Sequence, residues 1–202
     1  MISYADACRI INEHRGESAA VTTMTQSSYW NKVSEHPDLD MGISNGMSKA
    51  SSVALGIALG DPERKVLCLD GDGSLLMNFG SLATVAGMAP KNFHHFVFNN
   101  GIYAITGGQP LPETGVHYAD AAKACGYKAT FKFDDLESFE NSMAEIMAID
   151  GPTLIELVVT PEPATEGVDQ TWESNAKMPR QLRAMRKHLT GKDDWGPGGP
   201  FI

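Results

Sequence analysis

The stretch "KVLCLDGDGSLLMNFGSLATVAGMAPKNFHHFVFNN", Lys65 to Asn100, holds two short apolar runs, each closed by a polar cluster: Gly71-Asp72-Gly73 after the first and Asn99-Asn100 after the second. "KVLCLD" and "NFHHFVF" are short enough to be strands buried on both faces, and "FGSLATVAGM" between them has the small and apolar residues of a packed helix. Strand, helix and strand at this spacing imply parallel strands joined by a crossover. Both polar clusters then fall on the carboxyl edge of one sheet, where open α/β proteins bind their ligands.

The alternation continues in both directions. Tyr4 to His14 reads as a helix, "SAAVTTM" as a strand, and "NGMSKASSVALGIALGD" as a helix with small residues on its packing face. Downstream, "YADAAKACGY" reads as a helix stopped by glycine and "KATFKF" as a strand. "DDLESFENSMAEIMAID" reads as a helix opened by aspartate and "GPTLIELVVTP" as a strand closed by Pro161. The expected fold class is α/β, an open, mainly parallel sheet with helices on both faces, built from residues 1–164. Residues 165–202 form a partly helical C-terminal extension whose end, "GPGGPFI", reads as a surface arm or subunit contact.

With 202 residues, 42% hydrophobic and 20% charged, the chain can bury one sizeable core. Its net charge of −9 and its lack of a compact basic cluster exclude a nucleic-acid surface; "RQLRAMRKH" is spread around a helix. Cys8, Cys68 and Cys125 are odd in number and far apart, so neither a disulfide framework nor a structural zinc site is expected, and a reducing cytoplasm fits. The N-terminus is unlike a signal peptide, and no apolar run approaches the roughly 18 residues of a membrane helix. A soluble protein without a membrane partner is expected.

Asp72 offers hard carboxylate oxygens and Asn100 a neutral amide oxygen, a pairing suited to an octahedral Mg²⁺ with positions left open for phosphate. The single carboxylate limits the negative charge that an incoming diphosphate would meet. Gly71 and Gly73 let the backbone approach closely, and Gly73 with Ser74 begins a segment whose free N–H groups can bind phosphate oxygens. By itself "GDG" is most often a turn. An EF-hand beginning at Asp70 would need an oxygen ligand and glycine where Ser74 and Leu75 stand, and glutamate at Ser81. A P-loop needs Gly-Lys before Ser or Thr, and a dinucleotide fingerprint needs glycine where Leu76 stands.

The combination of GDG, 25 intervening residues and NN, each after an apolar run, resembles the thiamine diphosphate signature. The resemblance implies thiamine diphosphate and Mg²⁺ as cofactors, with Asp72, Asn100 and the main-chain carbonyl of Ile102 as metal ligands and Gly73 and Ser74 on the diphosphate. More narrowly, Asn45 to Pro110 resembles the thiamine-diphosphate-binding half of the sulfopyruvate decarboxylase family, its β subunit, and the corresponding part of phosphonopyruvate decarboxylase. In that family a bulky residue before the "ASS" run holds the cofactor bent, which implies this role for Met47 and a carbonyl contact from Asn45 to the aminopyrimidine. Relatives reading GSMGHASS carry a histidine where this chain has Lys49, and a fixed positive charge there would favour an anionic substrate.

Thr23 and Thr25, after the first strand, are candidate diphosphate contacts, with local capping as the competing role. "TGGQP", Thr106 to Pro110, resembles a segment near the family's reaction centre. His117, in the loop that follows, joins Met47 and Lys49 as a candidate catalytic residue. His94 and His95 point to opposite faces of one strand and read as packed. Glu162, at the exit of the last strand, has no pairing argument behind it.

In thiamine diphosphate enzymes the carboxylate that acts on the aminopyrimidine comes from a separate domain, and nothing here supplies one. The resemblance therefore implies a pyrimidine-binding α subunit as partner, and decarboxylation of a short anionic 2-oxo acid, 3-sulfopyruvate to sulfoacetaldehyde before phosphonopyruvate. An acetolactate-synthase-like carboligase and a 2-oxo acid oxidoreductase subunit are more distant readings; the latter lacks the support of a cysteine cluster. A cofactor-free structural subunit is opposed by the intact Asp72, Gly73 and Asn100.

Overall fold

In the computed structural model the described residues are 1–112, 115–162 and 172–192. The stretches 165–171 and 193–202 of the C-terminal extension, "GPGGPFI" included, lie outside them. In chain order the elements are α1 (Tyr4–Glu13), β1 (Ala19–Thr23), α2 (Met24–Val33), β2 (Asp40–Ile43), α3 (Ala50–Gly60), β3 (Val66–Gly71), α4 (Asp72–Leu76), α5 (Ser81–Met88), β4 (Phe93–Asn99), β5 (Ile102–Tyr103), β6 (Gln109–Pro110), α6 (Tyr118–Cys125), β7 (Ala129–Phe133), α7 (Leu136–Ala148), β8 (Thr153–Val158) and α8 (Trp172–Thr190). Short 3₁₀ turns occupy Pro37–Leu39 and Ala104–Thr106.

Six strands form one sheet in the order β2-β1-β3-β4-β8-β7, every neighbouring pair parallel, and β5 and β6 form a small antiparallel hairpin. The expected α/β class is observed. The central strands β3, β4 and β8 are buried along almost their whole length because helices cover both faces. One face carries α3, α5, α6 and α8 over Val66, Cys68, Val97 and Leu154; the other carries α1, α2 and α7 over Leu67, Leu69, Phe96 and Phe98. Full burial of each large side chain among these contributes roughly 1.5–3 kcal/mol.

Local chemistry sets the element ends. Ser3 caps α1 by accepting from the Asp6 N–H, and Asp135 caps α7 by accepting from the Ser138 N–H at 2.8 Å. Gly126, with φ +107°, ends α6. The edge strand β2 is covered by α8, whose Gln181 side chain accepts the Gly42 N–H at 3.0 Å and whose Met185 joins the core.

Two parts differ from the sequence expectation. Residues 45–49 are a loop, and the helix expected from Asn45 starts at Ala50, because Asn45 and Ser48 hold left-handed backbone, φ 54° and 73°, which a helix cannot contain. The segment after β1 forms α2 and then β2, neither of which was expected as an element.

The chain leaves β1 through α2 on one face and β3 through α5 on the other. A crevice therefore opens between the carboxyl ends of β1 and β3, the topological switch point of the sheet.

Candidate active site

A cleft of about 250 Å³ occupies this crevice. Its walls come from the start of α2 (Met24, Thr25, Gln26), from the end of β3 and the start of α4 (Gly71 to Ser74), and from the turn and hairpin after β4 (Asn100, Ile102 to Thr106), with Met47 and Met77 at its sides. Of the residues singled out in the sequence, Thr25, Met47, Gly71, Asp72, Gly73, Ser74, Asn100 and Ile102 line the cleft. Thr23 is fully enclosed at the foot of α2, with its hydroxyl unpartnered. Asn45, Lys49 and His117 are exposed and do not line the cleft.

Asp72 and Asn100 meet because β3 and β4 are parallel neighbours in register, Gly71 opposite Phe98. One Asp72 oxygen accepts the Gly73 N–H at 2.7 Å and the other the Gly101 N–H at 2.6 Å. Gly101 turns the chain with φ +72°, a conformation that strains any residue carrying a Cβ. The Asn100 amide is fixed from both sides: its oxygen accepts the Ile102 N–H at 2.9 Å and its nitrogen donates to the Tyr4 hydroxyl at 2.7 Å. Asn99 turns the other way and donates to Glu156 at 2.9 Å, so one asparagine of the pair faces the cleft and the other anchors the strand end.

Burial pushes the Asp72 carboxyl up to about 6, against the pull of N–H donors from Gly101, Gly73 and Asn100. Burial and, secondarily, the adjacent Asp72 raise the Tyr4 phenol. The donor set offered here is one carboxylate, one amide oxygen with a second lone pair, and the Ile102 carbonyl, all hard oxygens of the kind Mg²⁺ takes.

The close approach inferred for the glycines is visible. A Cβ on Gly73 would lie 2.7 Å from the Tyr103 ring and 3.1 Å from Leu111, and one on Gly71 would lie 3.3 Å from Gln26. Ser74 accepts the Ser48 N–H at 3.0 Å and Asn78 donates to the Ser48 carbonyl, which ties the Met47 loop to α4. Met24 on the cleft wall, and Asn45 and Ser48 in the loop that carries Met47, are left-handed residues other than glycine, and each stores of order 1–3 kcal/mol of backbone strain.

Behind β3 and β4, Cys68, Asp70 and His95 bring their polar atoms within 4.8 Å of one another in a fully enclosed cluster. His95 lies 3.7 Å from Asp70 and 3.3 Å from the Tyr127 hydroxyl, while Asp70 accepts the Gly71 N–H at 2.9 Å. Asp70 thus fixes the Gly71 N–H at the end of β3 through one oxygen, while its other oxygen and His95 Nε2 make no hydrogen bond among the described residues. His94 is packed on the opposite face, and neither of its ring nitrogens has a hydrogen-bond partner among the described residues.

Comparison with known proteins decides the family. The description "Thiamine pyrophosphate enzyme, C-terminal TPP binding domain" matches residues 20–157. The chain belongs to this TPP-binding domain family. Within it, the domain is 36% identical over 176 residues to a phosphonopyruvate decarboxylase from Streptomyces viridochromogenes, covering 87% of this chain and 44% of that protein. It is 45% identical over 96 residues to sulfopyruvate decarboxylase subunit beta from Methanocaldococcus jannaschii, covering 46% of this chain and 50% of that one. The TPP-binding domain thus spans less than half the length of the phosphonopyruvate decarboxylases it matches. Among solved structures, a thiamine diphosphate-dependent 4-hydroxybenzoylformate decarboxylase from Rhodococcus jostii shares the fold, with a TM-score of 0.64 and 20% identity over 81% of this chain and 33% of that one.

Tyr4, Gln26, Met77 and Tyr103 to Ile105 are cleft residues that sequence reasoning missed. The hairpin had a signal in its "TGGQP" turn; Tyr4, 96 residues from Asn100, had none.

Proposed function

We propose that the chain is the diphosphate-binding part of a thiamine-diphosphate- and Mg²⁺-dependent decarboxylase for a short anionic 2-oxo acid. The observation that carries this reading is the convergence of Asp72 and Asn100 on one cleft at the carboxyl ends of β3 and β4. Asp72, Asn100 and the Ile102 carbonyl would hold the metal, and Gly73 and Ser74 would take diphosphate oxygens. Met47, at the side of the cleft, would support the bent cofactor. Thiamine diphosphate, when bound, supplies the electron sink that lets a 2-oxo acid lose CO₂.

The cleft is narrow for a complete active site, and among the described residues that line it Asp72 is the only carboxylate available to act on an aminopyrimidine. A separate pyrimidine-binding subunit would complete it, in keeping with relatives named as beta subunits. Asn45, Lys49 and His117, exposed in this chain, would reach cofactor or substrate only across that interface.

For the substrate, 3-sulfopyruvate is the first choice and phosphonopyruvate the second, a choice supported by the relatives named for each. CO₂ release is to be measured with 3-sulfopyruvate, phosphonopyruvate and pyruvate, using the chain purified from its native source with the chains that accompany it. Release from 3-sulfopyruvate that disappears when an accompanying chain is stripped away is the expected result. Silence on all three acids, in a preparation that binds thiamine diphosphate with Mg²⁺, contradicts the substrate class.

A further inference from the structure

Tyr4 is the first residue of α1, and a backbone bridge fixes its place: the Ile2 N–H donates to the Val158 carbonyl and the Thr160 N–H to the Ile2 carbonyl. These bonds bring the start of the chain to the carboxyl edge of the sheet beside β8. The Tyr4 ring stacks between Tyr29 and Phe98, with centroids 5.3 and 5.5 Å away and planes within 18° and 13°. The ring is only 1% exposed, yet the side chain lines the cleft that holds Asp72 and Asn100.

The hydrogen bonds around Asn100 determine what the hydroxyl can do. The Ile102 N–H can only donate, so it fixes the Asn100 oxygen on its own side and the Asn100 NH₂ on the side of Tyr4. The Tyr4 oxygen is therefore the acceptor in that 2.7 Å contact. Its own hydrogen has no acceptor among the described residues. A rigid phenol thus presents an unused O–H beside the proposed metal ligands, and the ring stacking prevents it from turning away at low cost.

We propose that Tyr4 is a cofactor-binding residue whose O–H donates to a phosphoryl oxygen of the diphosphate while its oxygen holds the Asn100 amide in its metal-facing orientation. The inference rests on the reading of the cleft as a thiamine diphosphate site. Such a bond would be charge-assisted, and so stronger than a neutral one.

The test uses the protein with its co-purifying chains and follows calorimetric binding of thiamine diphosphate and, separately, of inorganic pyrophosphate, both over a Mg²⁺ series that reaches saturation. The variants are Tyr4→Phe, which keeps the stacked ring, and Tyr29→Phe, whose lost hydroxyl bonds Glu162 outside the cleft. Tyr4→Phe is expected to weaken both ligands by a similar factor, roughly tenfold or more, with Tyr29→Phe unchanged. Pyrophosphate binding by Tyr4→Phe equal to wild type overturns the proposal. So does a loss that vanishes as Mg²⁺ is raised, since that would mean Tyr4 acts only through Asn100. Failure of the wild type to bind either ligand overturns the reading of the cleft itself, and is distinguished by occurring before any substitution.

Discussion

Asp72 accepts the backbone N–H of Gly101 at 2.6 Å, so a residue at the end of β3 clasps the turn that follows β4, 29 positions along the chain. This contact joins the two halves of the proposed metal site before any ligand binds. It also accounts for burial of the carboxylate, since its oxygens are occupied by N–H donors from Gly73 and Gly101.

Gly73 is where a small change should damage the cleft most directly. In Gly73→Ala the new Cβ would lie 2.7 Å from the Tyr103 ring, so the hairpin β5–β6 must shift away. Overpacking of this kind costs about 1–3 kcal/mol. We expect a lowered Tm and at least a tenfold weaker affinity for thiamine diphosphate with Mg²⁺; unchanged binding would mean that the hairpin does not shape the site.

Arg15 and Asp40 form a buried ion pair at 2.9 Å, with Arg15 also donating to Ser34 and Ser18 and lying 5.0 Å over Trp30. Asp40→Ala leaves the guanidinium enclosed without its counter-charge, and we expect a loss of about 3–5 kcal/mol in chemical denaturation. Asp61→Ala, which removes the partly exposed pair with Arg64, should cost less than about 1 kcal/mol.

Glu156 is fully buried and accepts from Asn99, Lys132 and the Ala119 N–H, the last at the start of α6. Glu156→Gln replaces one acceptor oxygen by a donor that faces other donors. A destabilisation of about 1–3 kcal/mol is expected, read as an earlier denaturation midpoint at unchanged slope.

Burial, helped by the nearby Lys65 charge, lowers the His94 imidazole to about 4. The folded state then binds fewer protons at this residue than the unfolded state, whose value is near 6.5, so its contribution is lost as pH falls from about 6.5 towards 4. Integrated over that window, the loss is of order 3 kcal/mol. Asp72 acts in the opposite sense, because its raised carboxyl takes up a proton more readily when folded. The measurement is therefore the unfolding free energy of wild type minus that of His94→Leu, which should fall as the pH is lowered from about 6.5 towards 4; a pH-independent difference would contradict the assignment.

Much of this was legible in the sequence because the central strands are buried on both faces, and burial leaves uninterrupted apolar runs such as "KVLCLD" whose polar stops stand out. Asp72 and Asn100 were found from those stops. The strand β2 was not, since "DMGI" is four residues long and carries Asp and Gly, both disfavoured in strands. The start of α3 was misjudged because the apolar and small residues run back through Met47 while the backbone at Asn45 and Ser48 turns left-handed. Tyr4 was invisible for a different reason: its role depends on stacking and a hydrogen bond to segments far along the chain, which no local pattern encodes.

The most direct test of the metal-bridged diphosphate site is thermal unfolding of the wild type and of Asp72→Asn with thiamine diphosphate, Mg²⁺, both, or neither. Wild type should be stabilised by both together and by neither alone, by about 2.7 kcal/mol at a hundredfold excess over Kd. Asp72→Asn, which keeps the side-chain shape while removing the charge, should fold and lose that response. An Asp72→Asn protein stabilised as fully as wild type would contradict the account.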